Sequence, residues 1–228
     1  SADAPGMEPE AALRLGQIKA LLAAHRLAVL GGFDAAEEAG LSPGTRTLLL
    51  VGPDEPGFWA HLTAQPEWQD GAPDPIDRWS RRVLGRIACD LGAKALFPFG
   101  GPPHHPFYQW ALKTGRAFAS PVTLLVHDRA GLFVSYRGAL ALKERITLPP
   151  AGTNPCHTCT GKPCLTACPP AALTVAGYDV PACHAFLDRP EGHNCLSRGC
   201  GVRRACPLSK AYGRVEEQSA YHMRLFHP

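Results

Sequence analysis

The sequence predicts an α+β protein in two parts, a mixed domain over residues 7–150 and a small cysteine-rich domain over 151–228. Three observations carry this expectation. Within the first 150 residues, apolar positions recur at helical spacing in some stretches and in short strand-sized runs in others. Residues 149–155 are rich in Pro and Gly and read as a linker. Behind that linker, eight of the nine cysteines fall within fifty-one residues.

The elements follow in order. Residues 8–25 place Leu15, Ile18 and Leu22 on one helical face. Residues 26–33 read as a strand ended by Gly31-Gly32, and 45–52 as a second strand closed by Gly52-Pro53. Asp74-Pro75 opens the clearest helix, in which Ile76, Trp79, Val83, Ile87 and Leu91 step by three and four. Cys89 stands alone in that pattern and reads as a buried small hydrophobe. A short strand over 94–99 leads into the Gly/Pro/His loop 100–106 and a helix over 107–114. Residues 122–127 and 132–142 read as an antiparallel pair joined by the turn 128–131. An order of βαβα followed by a hairpin predicts an α+β sandwich with the cysteine module packed on one side.

Composition is that of a globular chain, 45% hydrophobic over 228 residues. No apolar run approaches the length of a membrane span, and no secretory signal is visible, so a membrane partner is not expected. Residues 1–6, ahead of Met7, are set apart from the fold. Residues 1–150 hold 15 Lys/Arg and 15 Asp/Glu, whereas 151–228 hold 8 and 5 and so contribute the whole net charge of +3. Nothing resembles a basic stripe, which argues against a nucleic-acid partner.

The cysteines read Cys156-x2-Cys159-x4-Cys164-x3-Cys168-Pro169, then Cys183, then Cys195-x4-Cys200-x5-Cys206-Pro207. Two groups that each close on Cys-Pro outline a two-cluster ferredoxin module. In such a module three closely spaced thiolates hold one [4Fe–4S] cube and the Cys before Pro crosses to the other. The loops between Cys159 and Cys164 and between Cys200 and Cys206 are longer than in the bacterial ferredoxin run, with Gly161, Pro163 and Gly201 inserted. By the crossover rule one set is Cys156, Cys159, Cys164 and Cys206, and the other is Cys168, Cys183, Cys195 and Cys200. Zinc favours paired Cys-x2-Cys hooks, and only Cys156/Cys159 supplies one. Disulfides fit a small secreted scaffold, whereas this chain has a long cysteine-poor region able to build its own core. Thiolates holding iron imply a reducing, cytoplasmic setting. Two oxidised cubes with their thiolates would add roughly −2 each, and Arg198, Arg203 and Arg204 read as local compensation. His157, between two of the cysteines, reads as a residue supporting a ligand rather than as a ligand.

Other motifs carry less. Gly40-Leu41-Ser42-Pro43-Gly44 matches a nucleophile elbow in letters only. It precedes a strand, and Pro43 has no N–H to offer an oxyanion hole, so it reads as a turn. His104 and His105 lie in a proline-rich loop beside Phe107, Tyr108 and Trp110. The plainer reading is a rigid surface or interdomain loop. The functional one is a cofactor-facing loop.

From about residue 95 to 207 the chain is similar to epoxyqueuosine reductases, which belong with the corrinoid-dependent reductive dehalogenases. The resemblance is carried by Thr123-Leu124-Leu125-Val126, Gly131-Leu132-Phe133 and Gly138-Ala139-Leu140. It continues through Cys156-x2-Cys159, Cys168-Pro169-Pro170-Ala171-Ala172-Leu173, and Tyr178-Asp179-Val180 leading to Cys183. It implies a nitroreductase-like domain holding a corrinoid such as cobalamin, with two clusters delivering electrons received from a redox partner protein. His127, Phe133 and Tyr136 would then line the cofactor pocket. Where those enzymes carry a proton-donating Asp, residues 99–104 here hold no carboxylate; His104, His105 or Tyr108 would stand in for it. The chain ends at Pro228 with no counterpart of the tRNA-binding extension, so chemistry on tRNA is not expected. Three function classes follow: a cobalamin-dependent reductase or cobalamin-reducing protein, a ferredoxin-type electron carrier without organic cofactor, and a flavin-linked reductase holding FMN.

Overall fold

The computed structural model describes residues 9–228; the expected starts of the first helix at 8 and of the first domain at 7 lie outside the described residues. In chain order the elements are α1 (Pro9–Ala23), β1 (Leu27–Asp34), β2 (Thr47–Pro53), α2 (Phe58–Thr63), α3 (Pro66–Gln69), α4 (Pro75–Leu91), β3 (Lys94–Leu96), α5 (Phe107–Lys113), β4 (Ala117–Ala119), β5 (Leu125–His127) and β6 (Gly138–Leu142). The cysteine-rich part adds β7 (Leu173–Thr174), β8 (Gly177–Tyr178), α6 (Val180–Leu187), α7 (His193–Arg198), α8 (Gly201–Ala205), α9 (Pro207–Tyr212) and α10 (Glu216–Phe226). The protein is mixed α+β, with small antiparallel sheets.

Two compact units interleave along the chain. The first runs to Thr114 and resumes over Tyr136–Ala151; the second comprises Gly115–Ser135 and Gly152–Pro228. The expected boundary at 150/151 therefore needs correction, because residues 115–135 pack with the cysteines. Gly131 explains part of this. Its φ is +57°, and a Cβ there would overlap the Ser209 backbone nitrogen. The next amide, Leu132 N–H, donates to Ser209 Oγ at 2.9 Å.

The first unit is built on a four-stranded antiparallel sheet in the order β1-β2-β6-β3. Every residue of β2 is buried, which is what the unbroken run Leu48–Val51 requires. Each such aliphatic side chain contributes about 1.5–3 kcal/mol by leaving water. Gly31 marks the bulge in β1, with φ +144° and a Cβ position only 2.7 Å from Thr114 Cβ. α4 begins with Pro75 at its first helical position and ends at Gly92, whose φ of +64° closes the helix. Its Ile76, Trp79, Val83 and Ile87 are buried as the spacing demands, and Trp79 meets Phe58 edge-on at 5.6 Å. Cys89 is exposed, contrary to expectation. It lies two residues beyond buried Ile87, a rotation of about 200° away from the core face.

The expected βαβα order is found in β2, α4, β3 and α5, with the short α2 and α3 added ahead of α4, and β1 lies beside β2 as a direct antiparallel neighbour. One further expectation fails, since residues 122–127 do not pair with 132–142. β5 pairs with β4, whereas β6 lies between β2 and β3. The turn itself is real, since His127 and Gly131 exchange backbone bonds of 3.0 Å, but the pairing ends there. β6 reads Gly-Ala-Leu-Ala-Leu and is buried throughout, and a strand without polar alternation carries no mark of its partner.

Candidate metal centres

In the second unit Val122, Val126, Leu132, Leu173 and Val202 form an apolar core that also takes in the buried Cys164 and Cys206. Cys156 sits in a 3-10 turn, Pro155–His157, whose preceding Asn154 accepts the Cys156 N–H on Oδ1 at 2.9 Å. Cys164 lies in a second such turn, Pro163–Thr166. Cys206 precedes Pro207 at the start of α9, where proline's missing N–H leaves no donor unsatisfied. Burial pushes the Cys156 thiol above its usual range, the nearby sulfurs of Cys164, Cys206 and Cys159 act in the same direction, and the Lys162 ammonium opposes them. Cys164 is raised first by burial as well, then by Cys206 and Cys159. One set of four therefore gathers three cysteines from the first motif and one from the second.

The other set forms where α6, α7 and α8 meet the Cys168-Pro169 turn. Cys183 is carried on α6, Cys195 on α7, and Cys200 immediately before α8. Burial raises the Cys183 thiol, with Cys200, Cys168 and Cys195 as its cysteine neighbours. All four line one apolar cavity, walled by Leu187, Val202 and Met223. Tyr178 donates its hydroxyl to Cys183 Sγ at 3.4 Å. Burial, ahead of that bond, holds the phenol well above its usual pKa, so it remains a donor. No disulfide joins any of the cysteines. Among the described residues, no three His, Cys, Asp or Glu side chains converge as the ligands of a single ion.

Of the three arginines expected to offset cluster charge, Arg198 differs from expectation. Arg198 pairs with Glu216 at 2.7 Å and so is matched by a carboxylate. Arg204 donates to the Gly199 carbonyl and to Asn194, and Arg203 to the Leu132 carbonyl. These arginines brace the loops around the cysteines. His157 is exposed.

The six pocket candidates do not share one compact unit. His104, His105, Tyr108 and Tyr136 belong to the first, His127 and Phe133 to the second. His104 and Tyr108 are exposed, and His105 stacks on Trp110 at 5.5 Å. Tyr136 lies 6.4 Å from the Phe107 ring. His127 is fully buried, and its Nδ1 accepts the N–H groups of Arg129 and Ala130, both at 3.1 Å. With Nδ1 an acceptor the ring proton sits on Nε2, so the Asp128 carboxylate 3.2 Å away gains no ion pair. His127 fixes the turn. Phe133 lines a cleft of about 290 Å³ that also reaches Cys200 and Tyr178. Sequence reasoning missed Tyr178 and Asn154 as partners of the cysteines; the one available signal was their nearness in sequence to Cys183 and Cys156.

No family model matches the chain, and no curated protein matches it.

Proposed function

We propose that this protein carries electrons through two [4Fe–4S] clusters held in the second unit. The observation that supports it best is the gathering of Cys168, Cys183, Cys195 and Cys200 around one apolar cavity, which places the first motif's Cys-Pro cysteine among the thiols of the second. A cube offers one iron to each of four thiolates, which suits four sulfurs arranged around a cavity. A single zinc ion draws its thiolates to about 2.3 Å from one point. Clusters bound there would supply one-electron redox chemistry. The chain's own part is to hold the sulfurs, to exclude water with Leu187, Val202 and Met223, and to donate to Cys183 through Tyr178. The ferredoxin-like reading of the second unit and the nitroreductase-like reading of the first belong to this proposal. The mixed α+β class supports the latter only at that coarser level.

Anaerobic purification followed by iron and sulfide analysis tests it. The expected result is about eight iron and eight sulfide per chain; two zinc ions with neither iron nor sulfide would contradict it. The corrinoid rests on the family resemblance. Titrating the same preparation with cob(II)alamin and with FMN addresses it, a spectral change with one of them identifying the organic cofactor and no change with either leaving the electron-carrier function.

A further inference from the structure

The first unit holds a cleft of about 260 Å³ that the cluster chemistry does not use. Its lining brings together Arg81 of α4, Lys94 of β3, Ser42, and the backbone of Gly100-Gly101. Among the described residues, no Asp or Glu lines it.

Arg81 differs from its neighbours on the same helix. Arg78 pairs with Asp70, Arg82 with Glu67, and Arg86 with Asp90. Arg81 has no carboxylate partner among the described residues. Its guanidinium lies over the rings of Phe97 and Phe99, 5.5 and 5.1 Å from their centroids. A cation over an aromatic face keeps its N–H edge available for an anion. Gly100, at φ +82°, allows this placement, because a Cβ there would overlap the guanidinium. Lys94 is likewise without a carboxylate, and its Nζ stands 3.5 Å from Ser42 Oγ. Ser42 belongs to the Gly-x-Ser-x-Gly stretch dismissed above as a nucleophile elbow. Its turn is pinned by the Thr45 hydroxyl, which donates to the Ser42 carbonyl at 2.7 Å. That stretch therefore has a use: it presents a hydroxyl beside Lys94, in the cleft that Arg81 also lines.

We propose that this cleft binds an organic phosphate, with Arg81, Lys94 and Ser42 on the phosphate oxygens and the body of the ligand on Phe97 and Phe99. Two unneutralised cations with a hydroxyl match a dianionic oxygen cluster, and Arg offers the planar pair of donors that phosphate accepts. The rings add an apolar floor, and the volume suits a phosphate with one small ring. No cysteine lines the cleft, so the site does not depend on the cluster reading.

Calorimetric titration of the full chain with phenyl phosphate tests it, with phenol and inorganic phosphate as the other ligands. Phenyl phosphate binds at millimolar concentration or below, inorganic phosphate more weakly, and phenol at least about tenfold more weakly. Arg81→Gln and Lys94→Gln each weaken phenyl phosphate about tenfold, the loss of one charge-assisted bond. Arg86→Gln, on the same helix but paired, leaves it unchanged. Lys94 is exposed, so its variant serves even where Arg81→Gln fails to fold. No binding up to about 10 mM, phenol binding as tightly as phenyl phosphate, or an Arg86→Gln loss equal to that of Lys94→Gln would each overturn the proposal.

Discussion

Tyr178 and Cys183 lie five residues apart, and their contact of 3.4 Å arises because β8 delivers the chain directly into α6. A donor to a ligand sulfur stabilises the more negative, reduced state of a cluster. On the proposed function, Tyr178→Phe should therefore lower the reduction potential of the cluster proposed at Cys183. A bond of about 1 kcal/mol corresponds to ~40 mV for a one-electron couple. Potentiometric titration followed by EPR measures this, and an unchanged or raised potential counts against the assignment. Gly131 makes a second residue-scale prediction. Gly131→Ala places a Cβ against the Ser209 backbone at a positive φ, at a cost of about 1–3 kcal/mol. Amide hydrogen exchange at Leu132 should speed up accordingly. The cysteine motifs stand out in the sequence as candidate ligands because their spacing is local. The exposure of Cys89 was legible too, had its angle from Ile87 been weighed above its chemistry.

At the scale of elements, α5 is tied to the first unit through Glu38, which accepts the Trp110 indole N–H at 2.9 Å and also bonds Lys113. The Lys113 bond, first among the causes, holds the Glu38 carboxyl below its usual value of 4.5. A depressed carboxylate pKa stabilises the fold above the usual value, and that contribution is lost as pH falls through the folded value. Glu38→Gln should remove this part of the acid sensitivity, which sets in as pH falls below about 5. All four tryptophans belong to the first unit, so acid unfolding followed by their fluorescence reports it. An acid transition identical to the parent's would refute the link. α4 was legible in detail because its period of 3.6 persists over four turns between Pro75 and Gly92. α2 and α3, at six and four residues, are too short for any period to show. The false hairpin has a different cause. A good turn at residues 128–131 fixes one bridge only, and the fully buried β6 could satisfy its apolar faces on any central strand.

At the scale of the whole molecule, the two units have opposite charge. Adding residues 115–135 to 152–228 gives the second unit ten basic and six acidic residues, hence +4. Two oxidised cubes at roughly −2 each would bring it close to neutral. The interleaving that produces this balance was hidden from the sequence, because the linker at 149–155 is a strong local signal and the join at 114–115 has none. Among the described residues no helix is long and apolar enough to cross a membrane. The central claim is the crossover of cysteines between motifs, and EPR of reduced protein carrying single Cys→Ser replacements tests it most directly. Cys206→Ser should perturb the same signal as Cys156→Ser, and Cys168→Ser the same signal as Cys183→Ser. If Cys168→Ser instead alters the Cys156 signal alone, the clusters are held motif by motif and the account is wrong.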